Sequence, residues 1–421
     1  MKRQGAALVR TVTAGGFCGR SSIAVAQVQK RLLRASVEKA WMLAELRGAV
    51  PKPLGPPSAR LRIIDLFCGA GGFSIGLRAA LNAVGITPEF VAAVDLDQVA
   101  LNVYRRNIPR SLCINANVDG LVDYAVTNAS QRWRFKYEPT VLHPSLVGLA
   151  QRIDIVVGGP PCQGHSNFNN VTRRDDPRNN LYLTVPAIGV ALGAQIILVE
   201  NVPSVTLDKM KVVEKARDCL EGAGYFLDDA VLEGAKLGVP QQRKRHFLMA
   251  TRKKGSVSLS RIHEALALPN VTLWDAIADL EDGSRAEALF DSPAILSPEN
   301  RMRVDHLFDK DLYELPNAVR PECHREGHTY PSVYGRMYPD KPAQTLTCGF
   351  MSPGRGRFVH PTQRRGITPH EGARVQGFPD SFAFEQVNNM PLHRKDLGKM
   401  IGDAIPPPLS FAAALAAISS L

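Results

Sequence analysis

Arg62-Ile63-Ile64-Asp65-Leu66-Phe67-Cys68-Gly69-Ala70-Gly71-Gly72-Phe73 decides the fold class. Beyond Arg62 its first half is apolar and rich in β-branched residues apart from one acid, which predicts a buried strand over residues 62–67. A glycine turn follows, and then a helix over about residues 74–84. Strand, glycine turn and helix in that order make a nucleotide-binding βα unit. Glycine lets a ligand approach the main chain closely, and a helix N-terminus adds positive potential. Taken alone, the turn also fits a Rossmann dehydrogenase, although its spacing is not GxGxxG.

Further along the chain, a second strand over residues 90–94 ends in Asp95-Leu96-Asp97. An acid at the tip of the second strand typically holds ribose hydroxyls. Asp95 is assigned that role, and Asp97 is assigned the cap of the next helix. A short third strand, residues 112–114, leads to Asn115-Ala116-Asn117. Residues 120–150 read as an insertion without interpretable pattern. An apolar run at 153–157 then enters Gly158-Gly159-Pro160-Pro161-Cys162-Gln163-Gly164-His165-Ser166. The prolines fix φ and remove donors, so Cys162 is approached on a stiff backbone. A lone cysteine is most often a small buried hydrophobe. The Gly/Pro/Gln/Ser setting leaves that reading and a reactive one evenly balanced. The polar loop beyond it carries Arg173, Arg174 and Arg178. After a helix at 181–192, a buried strand at 195–199 ends in Glu200-Asn201-Val202-Pro203. A carboxylate on a strand neighbouring that of Cys162 sets an acid beside a nucleophile, which covalent catalysis needs. The alternative for Glu200 is a helix cap or a surface acid. Arg243 and Arg245 alternate before an apolar strand at 246–250 and would share one face.

The 421 residues include 51 Lys and Arg against 40 Asp and Glu, a formal net charge of +11. That balance suits a polyanionic partner, nucleic acid first, although a basic enzyme without one has the same charge. Seven cysteines, with no CxxC pair, argue against a disulfide framework or a zinc ribbon and for a reducing compartment. Cys323, His324 and His328 lack a second ligand pair nearby, so no metal is expected. No apolar run reaches the ~18 residues a bilayer span needs, so no membrane association is expected. Residues 1–58 hold ten Lys and Arg and two acids, Glu38 and Glu45. Residues 25–47 have helical periodicity, with Leu33, Val37, Trp41 and Ala44 on one face. This segment admits three readings: a basic arm on DNA, a targeting peptide, or a helix docked on the body of the protein, which an amphipathic face favours.

Together these stretches resemble the C5-cytosine-specific DNA methyltransferase family. The residues that carry the resemblance are DLFCGAGGF (65–73), DLD (95–97), GGPPCQGHS (158–166), ENV (200–202), QQRKR (241–245), ARVQGFPDSF (373–382) and IGDAIPPPL (401–409). They occur in the family's order from about residue 61 onward. The resemblance implies an α/β fold with a doubly wound, mostly parallel, Rossmann-like sheet that binds S-adenosylmethionine. A smaller target-recognition domain accompanies it. The implied division is a basic extension at 1–58, a catalytic domain at 59–252, recognition at 253–335 and a return to the catalytic domain at 336–421. Cys162 would attack C6 of an extruded cytosine, Glu200 would hold and protonate N3, and Arg245 with Arg243 would hold the base carbonyl or orient Glu200. Phe67 would pack on the adenine. Asp65, Gly69, Ala70, Gly71 and Gly72 would line the methionine end, Asp95 would hold the ribose, and Pro161 would lie beside the cofactor. Four positions depart from the family pattern. Asp95 stands where a Glu is often found, Leu96 where an aromatic often packs on the adenine, Asn117 where an acid contacts the adenine amino group, and Asp403 where an Asn is usual. The implied partner is double-stranded DNA, flipped one base at a time. The implied setting is a cytoplasmic, nucleoid-associated monomer in restriction–modification or phage defence. Two rivals are a tRNA cytosine-5 methyltransferase, against which the long basic region at 253–335 speaks, and a catalytically silent DNA-binding protein, against which the intact Cys162 and Glu200 speak.

Overall fold

The computed structural model describes residues 1–28, 35–161, 177–281, 288–325, 332–384 and 392–421. Cys162, Arg173, Arg174, Leu33 and His328 lie outside the described residues.

The chain opens with an antiparallel sheet of β1 (Lys2–Gln4), β2 (Ala7–Ala14), β3 (Phe17–Ala24) and β4 (Lys52–Pro53), in that spatial order. The expected helix at 25–47 is thereby shortened to α1 (Val37–Leu46). Its start is set by Ser36, whose hydroxyl accepts from the Lys39 amide at 3.2 Å. Val25–Gln27 is instead a 3-10 turn closing β3. α1 is docked: Trp41, Leu43 and Ala44 share one core with Leu8 and Ile23 of the sheet, Ile75, Phe350 and Phe378. Trp41 is 1% exposed, so truncating it to Ala should cost about 3–5 kcal/mol.

Next come β5 (Ala59–Leu66), α2 (Gly72–Ala83), β6 (Ile86–Asp95), α3 (Gln98–Asn107) and β7 (Leu112–Asn115). The insertion forms two small hairpins and a helical turn: β8 (Val122–Asp123), β9 (Val126–Ala129), β10 (Arg132–Phe135), β11 (Thr140–Val141) and α4 (Pro144–Val147). β10 is fastened to the body by the Trp133 amide, which donates to Asp218 Oδ2 at 2.9 Å. The sheet resumes with β12 (Ile155–Gly158), α5 (Leu181–Ala191), β13 (Ile196–Asn201), α6 (Val212–Gly222), β14 (Phe226–Glu233) and β15 (Lys244–Thr251).

The central sheet has the order β14-β15-β13-β12-β5-β6-β7, and β15 runs against the others. Every residue of β12 and β13 is buried, the mark of strands covered on both faces. From β5 the chain moves outward to β6 and β7, then returns to β12 on the other side of β5. Such a reversal leaves a crevice beyond the carboxyl ends of the two strands at the switch, where open α/β sheets bind ligands. Here those ends are Leu66 and Gly158.

α7 (Leu259–Ala265) and α8 (Leu273–Ile277) pack into the main cores through Leu259, Leu273, Ala276 and Ile277. After them, α9 (Pro298–Asp309) contributes to a separate small core of Val304, Leu307, Leu315, Val333, Tyr334 and Val359. Cation–aromatic stacking adds to this core: Arg336 lies 4.4 Å from the Phe308 ring and Arg357 4.8 Å from the Tyr338 ring. α10 (Pro369–Gln376), α11 (Arg394–Gly402) and α12 (Pro407–Ile418) return to the main body. α12 lies so close to α2 that a Cβ at Gly76 would stand 2.0 Å from the Pro407 carbonyl oxygen. By length and composition Arg394–Ile418 could cross a membrane, but 78% of its apolar window is buried inside the protein.

Candidate active site

Glu200 stands one residue past the Gly158–Val199 pairing of β12 and β13, at the carboxyl edge of the sheet. It is 5% exposed. A Cβ added at Gly159 would meet Glu200 Oε2 at 3.2 Å and Ile405 Cδ1 at 2.9 Å. The acid therefore abuts the first residues of the loop that leads into Cys162, and only glycine fits between it and Ile405. The next residue fixes the loop itself: Asn201 Nδ2 donates to the Pro160 carbonyl oxygen at 3.2 Å. Pro161 is the last described residue before Cys162.

Arg245 Nε sits 2.7 Å from Glu200 Oε1. Burial nonetheless lifts Glu200 above the ordinary carboxylate range, against the lowering influence of Arg245, Arg243 and His246. Arg243 is placed differently from the expectation that it shares a face with Arg245. It precedes β15, is 3% exposed, and donates to the Leu346 and Gly402 carbonyl oxygens at 2.8 and 2.9 Å. Its guanidinium thus fastens the C-terminal segments behind Glu200, while Arg245 reaches the carboxylate.

The second edge of the crevice carries the expected cofactor residues. Phe67 turns the chain at φ 55°, and Gly69 and Gly71 follow at 51° and 105°, values that glycine adopts without strain. Asp95 Oδ2 accepts from the Gly69 amide at 2.8 Å, and its Oδ1 accepts from the Asp97 amide at 2.8 Å. Each oxygen keeps a second lone pair for a ribose hydroxyl. Asp97 caps α3 through Val99 and Ala100 and pairs with Lys399 at 2.6 Å. Leu96 projects at the strand tip, 71% exposed. Asn117 is also exposed. Asn115, which sequence reading passes over, donates instead to the Asp95 and Leu96 carbonyl oxygens at 3.2 and 2.9 Å and so holds the tip in place. Asp403 caps α11 on the same side, within the field of Arg243, Lys399 and Arg245.

Asp65 is 1% exposed beneath the glycine turn. Ser74 Oγ donates to its Oδ2 at 2.5 Å, and the Tyr104 hydroxyl lies 2.8 Å from Ser74 Oγ. The serine proton is committed to Asp65, so Tyr104 is the donor of the second bond. Asp65 Oδ1 has no hydrogen-bond partner among the described residues. Burial pushes Asp65 up to about 7, with the Ser74 bond opposing and Asp95 adding to the rise. Ser74 and Tyr104 were legible only as helix residues, since nothing in the spacing ties them to Asp65. A buried acceptor awaiting a donor, an acid at the second strand tip and an exposed apolar side chain beside it fit S-adenosylmethionine. They match its ammonium, ribose and adenine in turn.

Residues 61–419 match the family model of the C-5 cytosine-specific DNA methylase. The chain is 41% identical over 360 residues to the Type II methyltransferase M1.BsuMI of Bacillus subtilis, covering 84% of this chain and 80% of that one. It is 28% identical to the Type II methylase M.HgiDII of Herpetosiphon aurantiacus, covering 82% and 91%. A solved DNA modification methyltransferase encoded within an Escherichia coli prophage superposes with a TM-score of 0.57 at 23% identity, covering 85% of this chain and 98% of that one, which supports the same fold. The chain belongs to the C-5 cytosine-specific DNA methylase family and is a DNA (cytosine-5-)methyltransferase whose methyl donor is S-adenosylmethionine.

Proposed function

We propose that methylation proceeds through a covalent adduct of Cys162 on a cytosine flipped out of the duplex, with Glu200 as the acid at N3. The observation that carries this reading is a buried carboxyl, held above its ordinary range, against the glycine that opens the loop to Cys162. Cytosine C5 is too weak a nucleophile to be methylated unaided. Thiolate addition at C6 makes the ring enamine-like, and a proton at N3 offsets the charge that forms. Once C5 carries the transferred methyl group, loss of the C5 proton to water lets the thiolate leave, a role that suits sulfur, and the N3 proton returns to Glu200. Arg245 orients Glu200 and keeps its carboxyl facing the crevice. Arg243 positions the C-terminal segments. Asp65, Asp95, Leu96 and the turn from Phe67 to Gly72 hold S-adenosylmethionine, with Asn117, Pro161 and Asp403 at the margins. When bound, that cofactor supplies an electrophilic methyl group on a sulfonium.

The named relatives are Type II methyltransferases. We infer the same employment here: marking host DNA against a partner endonuclease, in the cytoplasm and as a monomer. A duplex carrying 5-fluorocytosine tests the adduct, because fluorine cannot depart as a proton and the thiolate stays attached. The wild type should give an adduct that survives denaturation and maps to Cys162. Cys162→Ala should give neither adduct nor methylation while still binding DNA. Methylation retained by Cys162→Ala would remove the nucleophile from the scheme.

A further inference from the structure

The family match begins at residue 61, yet the segment before it is folded into the molecule and carries a buried cation at the end of its helix. Arg47 follows α1, and its side chain is 7% exposed. Its Nη2 donates to the Asp275 carbonyl oxygen at 2.6 Å and to Asp279 Oδ1 at 3.0 Å. That same Oδ1 accepts from Arg374 Nη1 at 2.9 Å. Arg374 grips Asp380 through Nη2 and Nε at 2.6 and 2.8 Å. Asp380 Oδ1 lies 2.9 Å from His370 Nε2, and His370 Nδ1 lies 2.7 Å from Asp291 Oδ1. The charges therefore alternate along one chain, from Arg47 through Asp279, Arg374, Asp380 and His370 to Asp291. Beside it, Lys39 pairs with Asp275 at 2.7 Å, and the Asp380 amide donates to the Leu46 carbonyl oxygen at 2.9 Å.

The location gives this chain its meaning. Asp275, Asp279 and Asp291 precede the small lobe built on Val304, Leu307 and Leu315, whereas His370, Arg374 and Asp380 follow it. The network thus joins the chain entering the lobe to the chain leaving it, and α1 is fastened to both. Planar guanidinium forks accept few arrangements of their carboxylates, so the junction has a defined register. An ordered junction lowers the entropy lost when the lobe is fixed on a ligand.

We propose that Arg47 is a positioning residue for DNA methylation, setting the angle at which the small lobe meets the catalytic core. The proposal rests on the reading that this lobe contacts DNA. Removing Arg47 leaves Asp279 still paired with Arg374, so no buried charge is orphaned and the fold should survive.

The test uses the full chain, labelled S-adenosylmethionine and unmethylated plasmid DNA. Arg47→Met should raise the KM for DNA roughly fivefold, within the range such coupled networks show. Both kcat and the calorimetric Kd for S-adenosylmethionine should stay within about twofold, and Arg47→Lys should restore most of the DNA KM. A lower melting temperature with an unchanged DNA KM overturns the proposal, because Arg47 is then packing alone. Should Arg47→Met fail to fold, Lys39→Met severs the parallel pair at a more exposed position, and an unchanged DNA KM there is equally fatal. Arg301→Ala combined with Arg325→Ala probes the underlying reading at exposed lobe cations. If that pair leaves the DNA KM unchanged, the lobe reading falls and the proposal with it. If the pair raises KM and Arg47→Met does not, only the positioning role falls.

Discussion

Glu200 and Glu371 are both buried carboxyls, 5% and 1% exposed, and they titrate in opposite directions. Burial raises Glu200, and Arg245, Arg243 and His246 fail to offset it. Burial also acts on Glu371, but there Arg365 and His360 prevail and hold it down at about 2. The donors account for the difference. Glu371 takes both arms of Arg365 at 2.8 and 2.7 Å and the Thr368 amide at 2.7 Å, with His360 Nε2 at 3.3 Å. Among the described residues, Glu200 has one ion pair, at 2.7 Å, and an oxygen turned toward Gly159. A carboxyl saturated with donors is fixed as a structural anion. One left short of them keeps a proton within reach, which acid catalysis uses.

Glu200→Gln should have the greatest effect on activity. The amide keeps the shape and loses the transferable proton, so single-turnover methyl transfer should fall by about 10²–10⁴-fold. DNA binding and the melting temperature should hold. A loss of less than about tenfold would make Glu200 a structural acid like Glu371. The reciprocal change, Glu371→Gln, leaves the Arg365 guanidinium without its anion. It should cost about 3–5 kcal/mol in denaturant unfolding, with kcat per folded molecule unaffected.

A pH series sharpens the same contrast with a smaller effect. Glu371 and Asp380 are depressed to about 2, so the stability they contribute is present above their unfolded values near ~4 and is lost as pH falls toward 2. For Glu371 alone that amounts to something on the order of 3 kcal/mol. His370 runs the other way. Burial lowers it, but hydrogen bonds to Asp380 and Asp291 outweigh burial and neighbouring Arg374, leaving it raised. Both ring nitrogens face carboxylates, which only imidazolium satisfies as a double donor. Its contribution is therefore complete below ~6.5 and disappears as pH climbs through the folded value. The melting temperature should fall below about pH 4.5 as Glu371 and Asp380 take protons. Asp65, raised to about 7, imposes a decline of its own between about pH 4 and 7, and His370 adds a further one above ~6.5. His370→Gln should remove the part of the decline above about pH 7; a decline that persists there would place its source elsewhere.

Sequence reading reached the catalytic half because its strands are buried on both faces and end in chemically unusual residues. Ile63 and Ile64, β12 and Glu200 were legible as apolar runs meeting a glycine or an acid. The N-terminal sheet was missed, although Val9 to Thr13 alternates with β-branched residues before the Gly15-Gly16 turn, a hairpin signal. The helical period of Val37, Trp41 and Ala44 reads back in the sequence to residue 25, where the structure has the 3-10 turn Val25–Gln27 that closes β3. β14 escaped for another reason: Phe226 to Glu233 is only partly buried and carries two aspartates, so no apolar run marks it. The placement of Arg243 was hidden because its partners are carbonyl oxygens of Leu346 and Gly402, about a hundred or more residues away. Carbonyl partners leave no trace in a side-chain pattern.

The finest test acts on Arg245, the ion-pair partner of Glu200 among the described residues. Arg245→Met keeps the stem that fills the space beside β13 and removes the guanidinium 2.7 Å from Oε1. With that cation gone, burial acts less opposed, so the Glu200 carboxyl should hold its proton to higher pH. If the protonated form is the one that serves N3, the basic limb of the kcat/KM–pH profile must move upward in the variant, even as its height drops from the loss of orientation. Arg243 and His246 remain to oppose burial, so the displacement should be modest and readable only against the wild-type profile under one salt condition. A basic limb that stays in place would mean another group sets it. The raised carboxyl would then be a consequence of burial with no part in proton transfer, and Glu200 would differ from Glu371 only in how many donors surround it.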